Sequence, residues 1–223
     1  MSRLTMFGVC CVALLIARWE LGAPSAIATL APKLAVREEP GRVVLAWNGP
    51  IEKPMRGDIV AAIGRFKADT RPLVISFNSP GGSIAHGREV MAVIRDASRK
   101  HRIDTLVENG GVCASMCVPI YLIGTQRSAH PKAHFMFHEA SLMEPVDPKI
   151  SPTDRKALLP FRKAIEALAT DDLFANDIAT QRVNMEWLTK MRTRIAGREV
   201  WLTGQQLVDE SSGIVEALVG TAK

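Results

Sequence analysis

No phosphate-binding glycine signature occurs in the 223-residue sequence. It has neither GxGxxG nor GxxxxGK, so no loop is built to cradle a nucleotide on backbone N–H groups. The sharp GxSxG turn that exposes a nucleophile in one large class of hydrolases is missing as well. There is no HExxH, and His130, His134 and His138 recur every four residues in a stretch that reads as strand and loop rather than helix. That placement argues against a shared metal site, and we expect neither metal nor cofactor. Lys and Arg form no run longer than the Arg99-Lys100-His101-Arg102 cluster, which has the make-up of a solvated helix end, so nucleic acid is not an expected partner. Repeats and low-complexity tracts are absent. With 47% hydrophobic and 23% charged residues the chain has an ordinary globular composition, long enough to bury one substantial core.

What is present begins with an export pattern. Arg3 precedes an apolar stretch at 4–17 that is too short to span a bilayer unaided, and Ala26-Ile27-Ala28 has the small-x-small form of a cleavage site. Residues 1–28 therefore read as a signal peptide and the mature chain as periplasmic or secreted. Arg18, Trp19 and Glu20 interrupt the apolar run, and the alternative is an uncleaved anchor at the inner membrane facing the periplasm. Cleavage removes Arg3, Arg18 and Glu20, lowering the net charge from +5 to +4, and removes Cys10 and Cys11. Cys113 and Cys117 remain. An even pair in an exported protein is a disulfide candidate, with two buried thiols as the bland reading. Four residues is near the limit for bridging inside one regular helix, so the bond forms more easily if Cys113 precedes the helix that carries Cys117.

Residues 29–41, with Pro32, Pro40 and Gly41, read as a linker, and 42–223 as a single domain. Apolar runs at 43–47 and 73–77 predict buried strands, each closed by a turn cluster. Met55, Ile59, Ile63 and Phe66 mark one face of a helix between them, and Gly87, Met91 and Ile94 continue a helical face after the second run. Strands follow at 105–107 and 135–137, with a buried helix at 114–123 between them. This alternation is that of an α/β fold. A helical insert is expected at about 153–196, carried by Leu158, Phe161, Ile165 and Leu168, then Met185, Leu188, Met191 and Ile195, with a break around Thr170-Asp171-Asp172. It is a candidate oligomerisation arm.

Two loops at strand ends have the form that aims backbone N–H groups at a developing negative charge: Pro80-Gly81-Gly82 and the turn into Ser115. Alone, Ser115 reads as a helix N-cap and His138 as a strand-end histidine. Taken together, ISFNSPGGS at 75–83, VCASMC at 112–117 and FMFHEA at 135–140 resemble, in order and spacing, the three signatures of the Clp protease proteolytic subunit and its relatives. The resemblance runs from about residue 43 to 219 and includes Trp201-Leu202-Thr203-Gly204, similar to a phenylalanine-leucine-threonine stretch near the family's end.

The resemblance implies a spiral of ββα units shared with the crotonase superfamily, Ser115 as nucleophile, His138 as general base, and the backbone N–H groups of Gly82 and Met116 as the oxyanion hole. It also implies a ring-forming homo-oligomer. Two departures stand out. Cys113 and Cys117 flank the serine where the family has small residues. The family's third member, an aspartate, is looked for at Met191-Arg192-Thr193-Arg194-Ile195, which has no acid, and Glu199 stands too close to Trp201 to align with it. That leaves a Ser-His dyad or a third member borrowed from Asp171, Asp177, Asn184 or Glu199. The expected activity is an exported serine endopeptidase acting on peptides or unfolded segments, without ATP and without an ATPase unfoldase. The alternatives are a catalytically weak binding or assembly protein and, disfavoured by export, a crotonase-like enzyme acting on coenzyme A thioesters.

Overall fold

The apolar runs become strands covered on both faces. The computed structural model describes residues 33–142 and 151–220. In chain order its elements are β1 (Lys33–Glu39), β2 (Arg42–Asn48), α1 (Lys53–Arg65), β3 (Leu73–Asn78), α2 (Ile84–Ala97), β4 (Ile103–Val107), β5 (Val112–Ala114) and α3 (Cys117–Tyr121). They continue with β6 (Arg127–Ala129), β7 (His134–Phe137), α4 (Pro152–Asp172), a π-helical segment Leu173–Ile178, α5 (Met185–Arg194), β8 (Val200–Thr203), α6 (Gly204–Asp209) and β9 (Ala217–Leu218). One sheet has the order β1-β2-β3-β4-β6-β9 and is parallel except for β1. A second, smaller sheet runs β5-β7-β8, with β5 parallel and β8 antiparallel to β7. The mixed α/β architecture is consistent with the spiral fold expected from the sequence.

Parallel strands buried on both faces need near-continuous apolar sequence: Val43, Leu45, Leu73 and Ile75 are fully enclosed on one face, and Val44, Val74 and Leu106 are buried on the other. Helices α1 and α2 cover one face through Met55, Ile59, Val90, Met91 and Ile94. Ser83 caps α2 by accepting a hydrogen bond from the His86 backbone N–H, which ties the start of that helix to the glycine turn before it.

Three local expectations change. Residues 33–39 of the expected linker form β1, which pairs with β2 across the two-residue turn Pro40-Gly41. The charges that suggested a linker alternate with Leu34 and Val36, which pack on the core, so the segment follows a strand period of two. The helical insert does not break at Thr170-Asp171-Asp172. It runs into the π-helical segment, where Leu173, Phe174 and Ile178 are buried, and the interruption falls at 179–184. The helix expected at 114–123 is confined to α3, because Val112, Cys113 and Ala114 pair with β7 as β5. The proposed signal peptide and its cleavage site lie outside the described residues, as do residues 29–32. No helix among the described residues is long and apolar enough to cross a membrane.

Candidate active site

Strand β3 delivers the first loop. At its end Ser79 N–H donates to Val112 O at 2.7 Å, and Ala114 N–H donates back to Ser79 O at 3.0 Å, so the glycine turn and the serine turn start from adjoining strands. Gly81 has φ +93° and Gly82 φ +149°, a region that side chains avoid. Space demands glycine too: a Cβ on Gly81 would lie 2.6 Å from Ser115 Cβ, and one on Gly82 2.5 Å from Ile51 O. The Gly81 carbonyl accepts from Ile51 N–H at 2.7 Å and Ile51 O accepts from Ser83 N–H at 3.1 Å, which fixes the turn from the other side.

Ser115 itself is left-handed, with φ +54°. A non-glycine residue held there costs about 1–3 kcal/mol and persists only where surroundings enforce it. Here Ser115 N–H donates to Met136 O at 2.9 Å, Ser115 O accepts from Val118 N–H at 3.0 Å, and a Cys113–Cys117 disulfide with Cα atoms 5.2 Å apart clasps the turn. Cys113 lies on β5 and Cys117 opens α3, the arrangement that makes a four-residue bridge feasible. Both cysteines are fully buried. Sequence patterns gave the serine's position but no sign of its backbone strain, since no GxSxG surrounds it.

His138 follows β7 and places Nε2 2.7 Å from Ser115 Oγ. In the neutral imidazole with its proton on Nδ1, the hydroxyl donates to Nε2. Burial pushes the His138 pKa below its ordinary value, while the negative charges of Glu199 and Glu139 act in the opposite direction. The backbone N–H groups of Gly82 and Met116 donate to no other group among the described residues. Serine, histidine and glycine turn share the wall of a cavity of about 980 Å³, which is also lined by Pro50, Ile84 and Leu173.

The four candidate third members separate cleanly. Asp171 pairs with Arg192. Asp177, 6% exposed, is held by Arg88 at 2.6 Å, and Arg88 also binds Asp172, so these groups clamp the insert onto α2. Asn184 caps α5. Glu199 remains, and the sheet alters its standing. Strands β7 and β8 pair Met136 with Trp201 and Phe137 with Val200, so one further step along the same register puts Glu199 opposite His138. Nearness to Trp201 in sequence still keeps Glu199 from aligning with the family's aspartate, while the register sets it across from His138. The Glu199 carboxylate accepts from Trp201 Nε1–H at 3.1 Å. Among the described residues no carboxylate hydrogen-bonds His138, and neither His130 nor His134 hydrogen-bonds the pair. No cluster of three or more His, Cys, Asp or Glu among the described residues is arranged to hold a metal.

A protein-family model described as Clp protease matches residues 41–171, more than half of the chain. The matched region contains both loops, Ser115 and His138, and ends before Glu199. No curated protein matches the sequence.

Proposed function

The chain belongs to the Clp protease family, and from that premise we propose that it is an exported serine peptidase in which Ser115 is the nucleophile and His138 the general base. The observation that carries the reading is the 2.7 Å contact between Ser115 Oγ and His138 Nε2 beside two backbone N–H groups that donate to no other group among the described residues. His138 takes the hydroxyl proton as Oγ attacks a peptide carbonyl carbon. The carbonyl oxygen becomes an oxyanion and is met by the N–H groups of Gly82 and Met116. His138 then returns the proton to the leaving amine, and the same steps with water release the acyl group and restore Ser115. Glu199 orients the imidazole from across the β7–β8 pair.

The Cys113–Cys117 disulfide supports an oxidising, envelope-side location for the mature chain. ATP is absent there, so the substrates are peptides and already unfolded segments, with no unfoldase partner. The assembly is a homo-oligomer built through the helical insert. A second reading, a binding or assembly protein with weak catalysis, is favoured by one observation: no carboxylate among the described residues hydrogen-bonds His138.

Labelling the purified mature protein with a fluorophosphonate probe separates the two. Wild type is expected to label, whereas Ser115→Ala and His138→Ala are not. A wild type that fails to label favours the binding protein, and labelling that survives Ser115→Ala removes Ser115 as nucleophile.

A further inference from the structure

We propose that Trp201 is a positioning residue for the Ser115–His138 pair, acting through a hydrogen bond that holds the Glu199 carboxylate; this rests on the peptidase reading above. Side chains alternate between the two faces of a strand, and directly paired residues share a face. Val112, Ala114, Met136 and Trp201 accordingly form one small apolar cluster on a single face of the β5-β7-β8 sheet. Two residues along that face lie His138, after β7, and Glu199, before β8. The cluster thus points its polar edge, the Trp201 indole N–H, toward the Glu199 carboxylate, at the end of the sheet that also carries His138.

Glu199 needs such a holder. It is exposed, its side chain has several freely rotating bonds, and among the described residues its only hydrogen bond is the one from Trp201 Nε1 at 3.1 Å. Indole is a suitable anchor because its ring is wedged against Met136 and its donor has a fixed direction. Only one carboxylate oxygen, Oε2, is engaged. Oε1 is left to accept from His138 Nδ1–H, the nitrogen opposite the one that meets Ser115, and Nδ1 has no partner among the described residues. A chain of positioning results, in which the indole restricts the carboxylate, the carboxylate fixes the imidazole tautomer, and Nε2 faces the serine. Fixing a catalytic histidine from behind in this way follows the general logic by which an outer group orients a base.

The charged groups that act on His138 are Glu199 and Glu139. Glu139 is held elsewhere, by the Gly197 N–H at 3.1 Å, so Trp201 controls one of the two alone. The test replaces Trp201→Phe, which keeps an aromatic ring in the cluster and removes the donor. Expected are a fall in peptide kcat of about tenfold with KM nearly unchanged, consistent with the loss of one orienting hydrogen bond, and a His138 pKa, read by NMR titration of the imidazole, that moves lower. In a Glu199→Gln background, itself expected to fold because Glu199 is exposed, the same Trp201→Phe change is expected to leave kcat where Glu199→Gln put it. Equal kcat and an unmoved His138 titration in folded Trp201→Phe overturn the proposal. So does an equal, additive loss in the Glu199→Gln background, which assigns Trp201 to packing alone. A wild type that labels and cleaves while Trp201→Phe matches it sinks only the positioning role, whereas a wild type that does neither sinks the peptidase reading together with it.

Discussion

Ser115 and His138 could be picked out of the sequence because they sit at fixed points of local patterns, a small-residue turn and a strand end, whose spacing of 23 residues is unaffected by how the rest of the chain folds. Glu199 could not. Its place is decided by the register between two strands more than 60 residues apart in sequence, and no local pattern encodes that pairing. Similarly, the left-handed conformation of Ser115 arises from the Met136 carbonyl and the disulfide, both of which act only after folding. The environment of His138 yields a pH prediction with a definite sign. Burial lowers its folded pKa from the ordinary 6.5, so the neutral base is already present where a free histidine would be half protonated. Activity should therefore rise with pH along a limb centred below 6.5 and be flat above it until another group titrates. Glu199→Gln removes a charge that raises the histidine's pKa, so its limb should move further toward acid. A profile of kcat/KM against pH reads both, and a wild-type limb centred above 6.5 contradicts the assignment of His138 as a buried base.

At the scale of elements, the parallel strands and α1 and α2 were legible because burial on two faces leaves continuous apolar runs and burial on one helical face leaves a 3.6-residue period. Element β1 was not, since an edge strand hides only alternate side chains and its charges resemble those of a linker. The β5–α3 turn was read only in part: residues Val112, Cys113 and Ala114 are apolar enough for either helix or strand, and β7 decides the matter by pairing with them. The disulfide that closes this turn has a testable worth. Its loop is so short that constraining the unfolded chain contributes only about 2 kcal/mol. For a domain of this size Cys113→Ala with Cys117→Ala should lower the melting temperature by roughly 5 °C. The larger effect is expected on catalysis, because a freed turn relaxes Ser115 out of its left-handed conformation; kcat should drop well beyond what the lost stability explains, with the double variant still folded at the assay temperature. Non-reducing mass spectrometry showing two free thiols on the wild-type chain contradicts the premise, and an unchanged kcat in the double variant limits the bridge to stability.

At the scale of the whole molecule, the outer side of α4 carries the most exposed large apolar side chains among the described residues. Arg162, Glu166 and Thr170 turn inward, hydrogen-bonding the backbone of Leu142 and Ala140. Leu158, Phe161, Ile165 and Leu168 follow one another at spacings of three, four and three, the seam by which one helix packs on another. Phe161 and Leu168 are both 68% exposed and Leu158 49%, although hydrophobic groups of that size are ordinarily buried in a lone domain. A seam of this kind is self-complementary, because two copies of α4 laid side by side each offer the other the same ridge, and the resulting two-fold contact joins protomers in pairs. The proposed homo-oligomer therefore has a definite weak point. Phe161→Glu with Leu168→Glu places charges in the seam without touching the core, so each protomer should keep the wild-type melting behaviour at low concentration. Native mass spectrometry should then find wild type as an oligomer and the double variant as a smaller species. Cleavage of short peptides would report whether Ser115 and His138 need the assembly: the Arg88 clamp to Asp172 and Asp177 holds the insert against α2 within a single protomer, so the cavity should survive dissociation and peptide hydrolysis should fall by less than about tenfold. An unchanged oligomer in the double variant moves the interface away from α4, and a monomeric wild type removes the assembly from the proposal.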